Sequence, residues 1–339
     1  QSYPYRPTFH FVPDPPNWMN DPNGPFYDAR SGIYHLMFQY KTPRTWGHAI
    51  STDLLHWENL PIAINNDESY DKGGVFTGST TVLSDGTPVA MYSVNTNNKM
   101  CIAYPADEND VNLTQWTDYT NNCILSANAT IPTGRDPTTS WTTDGGKTWT
   151  FAYATQGPGS NGAAVTFTTS DWKTWRRNEK PLTYSNLTGG WECPDFFLLP
   201  QSQQSDGITH VAKASKQGKD WWAIGSYNNE TTEFIPYNGE THNEAWSCKD
   251  CIWDYGDFYA SKTFYDNKNE RQIIYGWLTE QRSCSANPPN GQWCGSQTLP
   301  REIKLLSSKD SPTGKPRIVT YPIEEFNTLR MQSTKYENK

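Results

Sequence analysis

Short runs of apolar, aromatic and β-branched residues recur along the whole chain, at 33–40, 75–82, 89–94, 149–155, 163–168, 221–227 and 272–278. Each has the length of a strand, and clusters of Gly, Pro, Asn and Asp stand between them. No amphipathic segment of three or more helical turns interrupts the series. The pattern predicts an all-β chain. A last strand-like piece at 317–321 follows the polar stretch 307–315 and precedes a charged tail. No linker or low-complexity segment divides the chain.

A weak internal repeat points to a radial arrangement of hairpins. Ser51-Thr52-Asp53-Leu54-Leu55-His56-Trp57 resembles Thr169-Ser170-Asp171-Trp172-Lys173-Thr174-Trp175. Thr142-Thr143-Asp144-Gly145-Gly146-Lys147-Thr148-Trp149 is a version one residue longer. In each, a hydroxyl residue and an Asp make a turn and a Trp opens the next strand. The Asp side chain can satisfy backbone N–H groups there, so these carboxylates read as structural. Repeated hairpins of this kind are expected of propeller blades.

Composition narrows the function. The 339 residues suit one propeller or barrel. Net charge is −8 and the longest basic run is Arg176-Arg177, which argues against a nucleic-acid partner. No apolar stretch approaches the ~18–20 residues of a membrane span. Aromatic residues make up 14% of the chain, with 15 Trp. Most are expected to fill an all-β core, and a few to stack on sugar rings. Residue 1 is Gln and no apolar leader follows, as expected of a processed chain. Four N-x-[ST] sequons, at Asn112, Asn128, Asn186 and Asn229, suggest a glycosylated protein that is secreted, extracellular or vacuolar.

Seven Cys leave at least one unpaired within the chain. Local spacing suggests disulfides Cys101–Cys123 and Cys284–Cys294. Cys248-Lys249-Asp250-Cys251 suits a tight disulfide better than zinc, which needs a second ligand pair. Cys193 is then the free thiol.

Three acidic residues sit in stiff settings. Asp21 lies in Trp18-Met19-Asn20-Asp21-Pro22-Asn23-Gly24, where Pro22 restricts it and Asn23-Gly24 forces a turn. Asp136 lies in Gly134-Arg135-Asp136-Pro137, beside a guanidinium that can pair with it or bind a hydroxyl. Glu192 lies in Trp191-Glu192-Cys193-Pro194-Asp195, among apolar neighbours that favour a protonated carboxyl. Each motif alone is also compatible with an ordinary turn or a buried structural acid. Two carboxyl groups about 5–5.5 Å apart would support retaining glycoside hydrolysis through a covalent intermediate.

Together these motifs resemble glycoside hydrolase family 32, which holds invertases, inulinases, fructan exohydrolases and fructosyltransferases. Phe38-Gln39-Tyr40, Trp46-Gly47-His48-Ala49, Phe76-Thr77-Gly78-Ser79, Tyr259-Ala260-Ser261-Lys262-Thr263-Phe264-Tyr265 and Leu299-Pro300-Arg301-Glu302 agree with it in order. The resemblance implies a five-bladed β-propeller over residues 1–325, an exit segment at 326–339, and a funnel-shaped pocket on the axis. It implies Asp21 as nucleophile, Glu192 as general acid and base, and Asp136 as stabiliser of the oxocarbenium-like transition state. It places Asn20, Gln39, Trp46, Phe76, Ser79 and Arg135 around fructose. It implies sucrose or a fructan as substrate, with no metal and no cofactor.

Three departures temper it. Only five residues separate Tyr40 from Trp46, where many members have a longer loop with a further Trp-Gly pair, so an aromatic wall is expected to be missing or replaced. The chain stops where the family's C-terminal β-sandwich would begin, as expected of an enzyme without that module, of a fragment or of one piece of a cleaved protein, which makes association with that module or with another chain an expectation. Plant sucrose-cleaving members usually have an acidic residue soon after a Lys-Ala-Ser-like strand end, whereas Lys213-Ala214-Ser215 is followed by Lys216-Gln217-Gly218-Lys219-Asp220 with only Asp220 acidic, which counts against a sucrose-specific pocket. The favoured reading is a β-fructofuranosidase acting on sucrose or short fructans. Alternatives are a fructosyltransferase, a fructan exohydrolase or inulinase, a sialidase suggested by the 142–149 turn, and an inactive fructan-binding lectin.

Overall fold

The Asp–Trp repeats fold as one kind of turn. The computed structural model describes residues 6–14, 17–41, 43–94, 99–118, 123–126, 132–156, 161–186, 189–279 and 293–330. Asp53 Oδ1 accepts the N–H groups of Leu55 and His56 at 2.9 and 2.8 Å. Asp171 treats Lys173 and Thr174 in the same way, and Asp144 treats Lys147 and Thr148 likewise. The Trp57 and Trp149 indoles close their turns onto Leu54 O and Gly146 O. A fourth copy, not apparent from the sequence, is built on Asp110, which accepts from Asn112 and Thr114 N–H while Trp116 bonds Leu113 O. It lacks a hydroxyl residue before the Asp and has a wider Asp-to-Trp spacing. Backbone N–H groups of Thr174 and Lys173 hold Asp171 down at about 2. These carboxylates are consumed by turn geometry.

The turns join strands of five antiparallel blades. Blade I holds β1–β4 (Met19–Asp28, Ile33–Tyr40, Thr45–Ser51, Glu58–Ile64). Blade II holds β5–β8 (Val75–Val82, Pro88–Val94, Lys99–Pro105, Trp116–Asp118), with the short β9 (Leu125–Ser126) on β7. Blade III holds β10–β13 (Gly134–Arg135, Trp149–Gln156, Gly162–Thr169, Arg176–Ser185). Blade IV holds β14–β17 (Glu192–Leu198, His210–Lys216, Lys219–Asn228, Glu233–Pro236). In blade V, β18 and β19 (Tyr259–Asp266, Arg271–Leu278) are followed by β20 (Ser296–Gln297), β21 (Arg301–Leu306) and β22 (Arg317–Pro322). There the order is β18-β19-β21-β22, with β20 also on β19. The blades form a ring, the five-bladed propeller expected.

Five apolar seams hold the ring together, one between each pair of neighbouring blades. Trp46 and Tyr92 meet between blades I and II. Phe151, Trp149 and Trp175 join Ile102 and Met100 between II and III. Trp191 and Trp246 line the seam between III and IV. Phe258 and Trp253 lie between IV and V, and Phe264 meets Tyr34 between V and I. Both faces of each blade are therefore covered. The strands accordingly read as continuous apolar runs instead of alternating ones.

The last seam is reinforced by polar ties. Met19 N–H bonds Cys294 O, Gln297 N–H bonds Phe11 O, and the Gln297 amide donates to Asn20 O at 2.6 Å. Cys101–Cys123 and Cys248–Cys251 are disulfides, so the second pair has no thiolates to offer zinc. Cys294 is also disulfide-bonded. Its expected partner Cys284 and the Asn128 sequon lie outside the described residues. Asn186 and Asn229 are exposed and Asn112 is half-buried. The α-helices His242–Ala245 and Phe326–Arg330 have four and five residues. Among the described residues no helix is long and apolar enough to cross a membrane.

Candidate active site

The innermost strand of every blade breaks register at the same point. In β1, Asn20 and Asp21 oppose the single residue Gln39. In β5, Phe76 and Thr77 oppose Ser93. In β14, Cys193 and Pro194 oppose Ala214, and in β18, Ala260 and Ser261 oppose Gly276. Blade III repeats the pattern just after β10: Arg135 pairs with Ala154, Thr138 N–H bonds Ala152 O, and Asp136-Pro137 bulge between. Such bulges re-aim side chains and interrupt pairing. Asp136, Cys193 and Ala260, each first in its bulge, have φ of +61°, +43° and +52°. Proline fits the unpaired positions because it needs no ladder partner for an N–H. This explains Pro137 and Pro194 inside their bulges, while Pro22, directly after the bulge residue Asp21, pairs with Phe38 on an edge strand.

Five bulges at one level bring the three carboxylates into one network. Asp21 is buried, and its Oδ2 accepts from the Thr77 hydroxyl and from Cys193 Sγ at 3.5 Å. Asp136 Oδ2 accepts from Cys193 N–H at 2.9 Å and from the same thiol at 3.6 Å. Cys193 thus lies between the two aspartates. Arg135 spans the next gap: its Nε is 3.7 Å from Asp136 Oδ2 and its terminal nitrogen bonds Glu192 Oε1. The Tyr259 hydroxyl donates to Glu192 Oε2 at 2.7 Å. The Glu192 side chain is 34% exposed, so one carboxyl faces solvent while two aspartates lie deeper.

Burial dominates the electrostatics. It pushes Asp21 up to about 6, against the lowering by the Thr77 hydrogen bond, and the charge of Asp136 adds to the rise. Burial also pushes the Cys193 thiol well up, with Asp136 and Asp21 reinforcing it. Cys193 therefore stays protonated and acts as a donor, not a thiolate. Two buried ammonium groups lie beneath. Lys213 Nζ donates to Cys193 O at 2.9 Å and Ser261 O at 2.7 Å, and pairs with Asp220 at 3.1 Å. Lys262 Nζ donates to Pro137 O and Pro194 O. Between them they tie the bulges of blades III, IV and V.

The remaining expected site residues fall into two layers. Gln39 donates to Thr77 Oγ1 at 2.6 Å, so it acts on Asp21 through that hydroxyl. Asn20, next to Asp21 in β1, and Phe76, next to Thr77 in β5, are half-buried. Trp46 is fully buried, with its indole N–H bonded to Phe76 O, and it supports Phe76 from behind. Ser79 is also buried and donates to Pro137 O. Asp220, the acid near the hairpin after Ser215, is fully buried in its pair with Lys213 and accepts Ser261 N–H. Thr77, Tyr259 and the two lysines were not singled out from sequence, although all but Lys213 lie in segments whose order signalled the family.

A family model for the glycosyl hydrolases family 32 N-terminal domain matches residues 10–322. The chain is similar to an acid beta-fructofuranosidase of Vicia faba, 38% identical over 354 residues, which cover 98% of this chain and 53% of that protein. It is 36% identical to a vacuolar acid beta-fructofuranosidase of a Rosa hybrid cultivar, with 98% and 53% covered. Among solved structures, a fructan 1-exohydrolase of Cichorium intybus in complex with 1-kestose matches with a TM-score of 0.84 at 30% identity, covering 97% of this chain and 62% of that one. The chain spans about half the length of the curated relatives it matches.

Proposed function

Because the chain belongs to glycoside hydrolase family 32, we propose that it is a retaining β-fructofuranosidase releasing terminal fructose from sucrose or short fructans. The observation that carries this reading is the continuous contact from Asp21 through Cys193 and Asp136 to Arg135 and Glu192. Asp21 Oδ2 is taken by Thr77 and Cys193, which leaves Oδ1 to attack the anomeric carbon. As that bond forms, Glu192 protonates the glycosidic oxygen and the leaving sugar departs. Glu192, now ionised, takes a proton from water, whose oxygen attacks the same carbon and frees Asp21. Asp136 and Arg135 hold the fructosyl hydroxyls while positive charge builds on the ring.

The vacuolar rose relative and the exposed sequons Asn186 and Asn229 support an extracellular or vacuolar glycoprotein. An apolar groove of Phe9, Phe11, Leu55, Leu299, Phe326 and Leu329, with Phe9 78% exposed, supports association with a further module.

The test is product analysis with sucrose, 1-kestose, inulin and levan. Equal glucose and fructose from sucrose is the expected result. A large glucose excess reassigns the protein as a fructosyltransferase, and release from inulin but not sucrose makes it an exohydrolase. Asp21→Asn should bind sugar without turning it over. Wild-type protein that binds fructans without cleaving them would overturn the enzymatic reading in favour of a lectin.

A further inference from the structure

The short connection between β2 and β3 ends in Arg44, and the fold holds this residue tightly. Arg44 O accepts Val75 N–H at 2.8 Å, which fastens the loop to the start of inner strand β5. Gly74, with φ +117°, packs directly on Arg44: a Cβ there would come within 3.3 Å of the Arg44 backbone nitrogen and 3.2 Å of the Phe76 ring. Only glycine permits that approach without strain. The guanidinium lies over two aromatic rings, with Cζ 4.7 Å from the Phe76 centroid and 5.5 Å from that of Trp18. Stacking engages the faces of the planar group and leaves its N–H edges for oxygen acceptors. Nε is buried and has no hydrogen-bond partner among the described residues. Phe76, under the guanidinium, belongs to the β5 bulge next to Thr77, which holds Asp21. Arg44 and Asp21 attract one another, while Arg135 opposes Arg44.

We propose that Arg44 is a specificity-determining residue of this pocket, its guanidinium clamped by Trp18 and Phe76 and donating hydrogen bonds to hydroxyl oxygens of the sugar bound beside Asp21. This assignment rests on the fructofuranosidase reading above. Arg44 offers a sugar a planar donor fork, not an apolar ring. A ring selects a sugar face by its C–H surface. A fork selects pairs of oxygens at a set spacing, such as neighbouring hydroxyls. The same cation favours the ionised form of Asp21. The other groups facing that carboxylate are Asp136, the protonated Cys193 and the Tyr259 phenol, with Arg135 beside Asp136.

The test compares wild type, Arg44→Lys and Arg44→Met for turnover of sucrose and 1-kestose across pH. It also measures fructose binding by tryptophan fluorescence in a Glu192→Gln background. Arg44→Met should raise KM on the order of tenfold or more, the usual effect of losing a hydrogen bond from a charged donor. It should change kcat less, weaken fructose binding in parallel, and move the acid limb of kcat/KM to higher pH. Arg44→Lys keeps the charge and loses the fork. It should restore the acid limb but not KM, and it keeps the test available if the Met variant does not fold. Unchanged KM and fructose affinity in both variants would overturn the role of Arg44 alone. Wild-type protein without turnover or fructose binding would overturn both this assignment and the reading it rests on.

Discussion

The Tyr259 hydroxyl donates a 2.7 Å hydrogen bond to Glu192 Oε2, on the carboxyl that also accepts from Arg135. Tyr259→Phe removes one of the two anchors that aim the Glu192 carboxyl and should lower kcat on the order of tenfold, with KM changed less. Steady-state kinetics on sucrose against wild type checks this. An unchanged kcat would separate Tyr259 from the positioning of Glu192.

Asp21 sets a pH dependence of stability. Its folded value of about 6 lies above the ordinary 3.8, chiefly because the carboxyl is buried. Below pH 3.8 the group is protonated in both folded and unfolded chains and contributes no difference. Between 3.8 and about 6 the folded chain holds the proton longer, so stability falls as pH rises, and above 6 the penalty is complete. The elevation corresponds to about 3 kcal/mol. Asp21→Asn should abolish turnover and stabilise the protein by up to that amount at pH 7, with little gain at pH 4. Urea unfolding at the two pH values measures the difference. The acid limb of wild-type kcat/KM in the free protein should fall near pH 6, since an ionised Asp21 is the attacking form.

The buried pair His35 and His48 sets a second pH dependence. Their rings share a 2.9 Å contact, and His35 stacks flat on Phe26. Burial pushes His35 down to about 3 and His48 well down too. Both stay neutral in the folded chain. As pH falls below 6.5, the unfolded chain binds protons that the folded one refuses. Each refused proton removes about 1.4 kcal/mol per pH unit. Stability should drop steeply between pH 6.5 and about 4. The double variant His35→Leu/His48→Leu should flatten that slope in denaturant titrations, whatever its stability at pH 7.

Lys213 and Asp220 are both fully buried and pair at 3.1 Å. Lys213→Met strands the Asp220 carboxylate and frees the carbonyls of Cys193 and Ser261, so it should cost about 3–5 kcal/mol. Adding Asp220→Asn should recover part of the loss. A double-mutant cycle on melting temperature and activity separates the pair from its neighbours. Activity should fall further than melting temperature predicts, since Lys213 grips the bulge that carries Cys193.

Much of this was readable in advance. The middle strands β2, β6, β11, β12, β16 and β19 appear in the sequence as apolar runs at nearly their true limits, because both faces lie in seams and the hydrophobic signal is unbroken. Of the innermost strands only β5 shows the same signal, and the others were harder to see. Met19–Asp28 contains two Pro, two Asn and a Gly, which reads as a loop, yet it forms ten residues of strand around a bulge. Each carboxylate stands in a short, stiff motif that alone also reads as an ordinary turn or a structural acid, and they were legible as a set because the motifs occur in the order the family resemblance requires. Thr77 and Cys193 as their donors were not, since their roles arise only when bulges from different blades reach one level. Lys213 and Lys262 look like ordinary surface cations in sequence, and nothing local announces that their partners are carbonyls from other blades.

The tie between the Gln297 amide and Asn20 O joins positions 277 residues apart. Blades II to IV can assemble from contacts close in sequence, but the seam between blades V and I must wait for nearly the whole chain. Long-range closure of this kind is slow to form. The site draws a residue from every blade, so it has no partial version. In refolding, strand content should therefore return before sugar turnover, and the lag between them would time the closing of the ring.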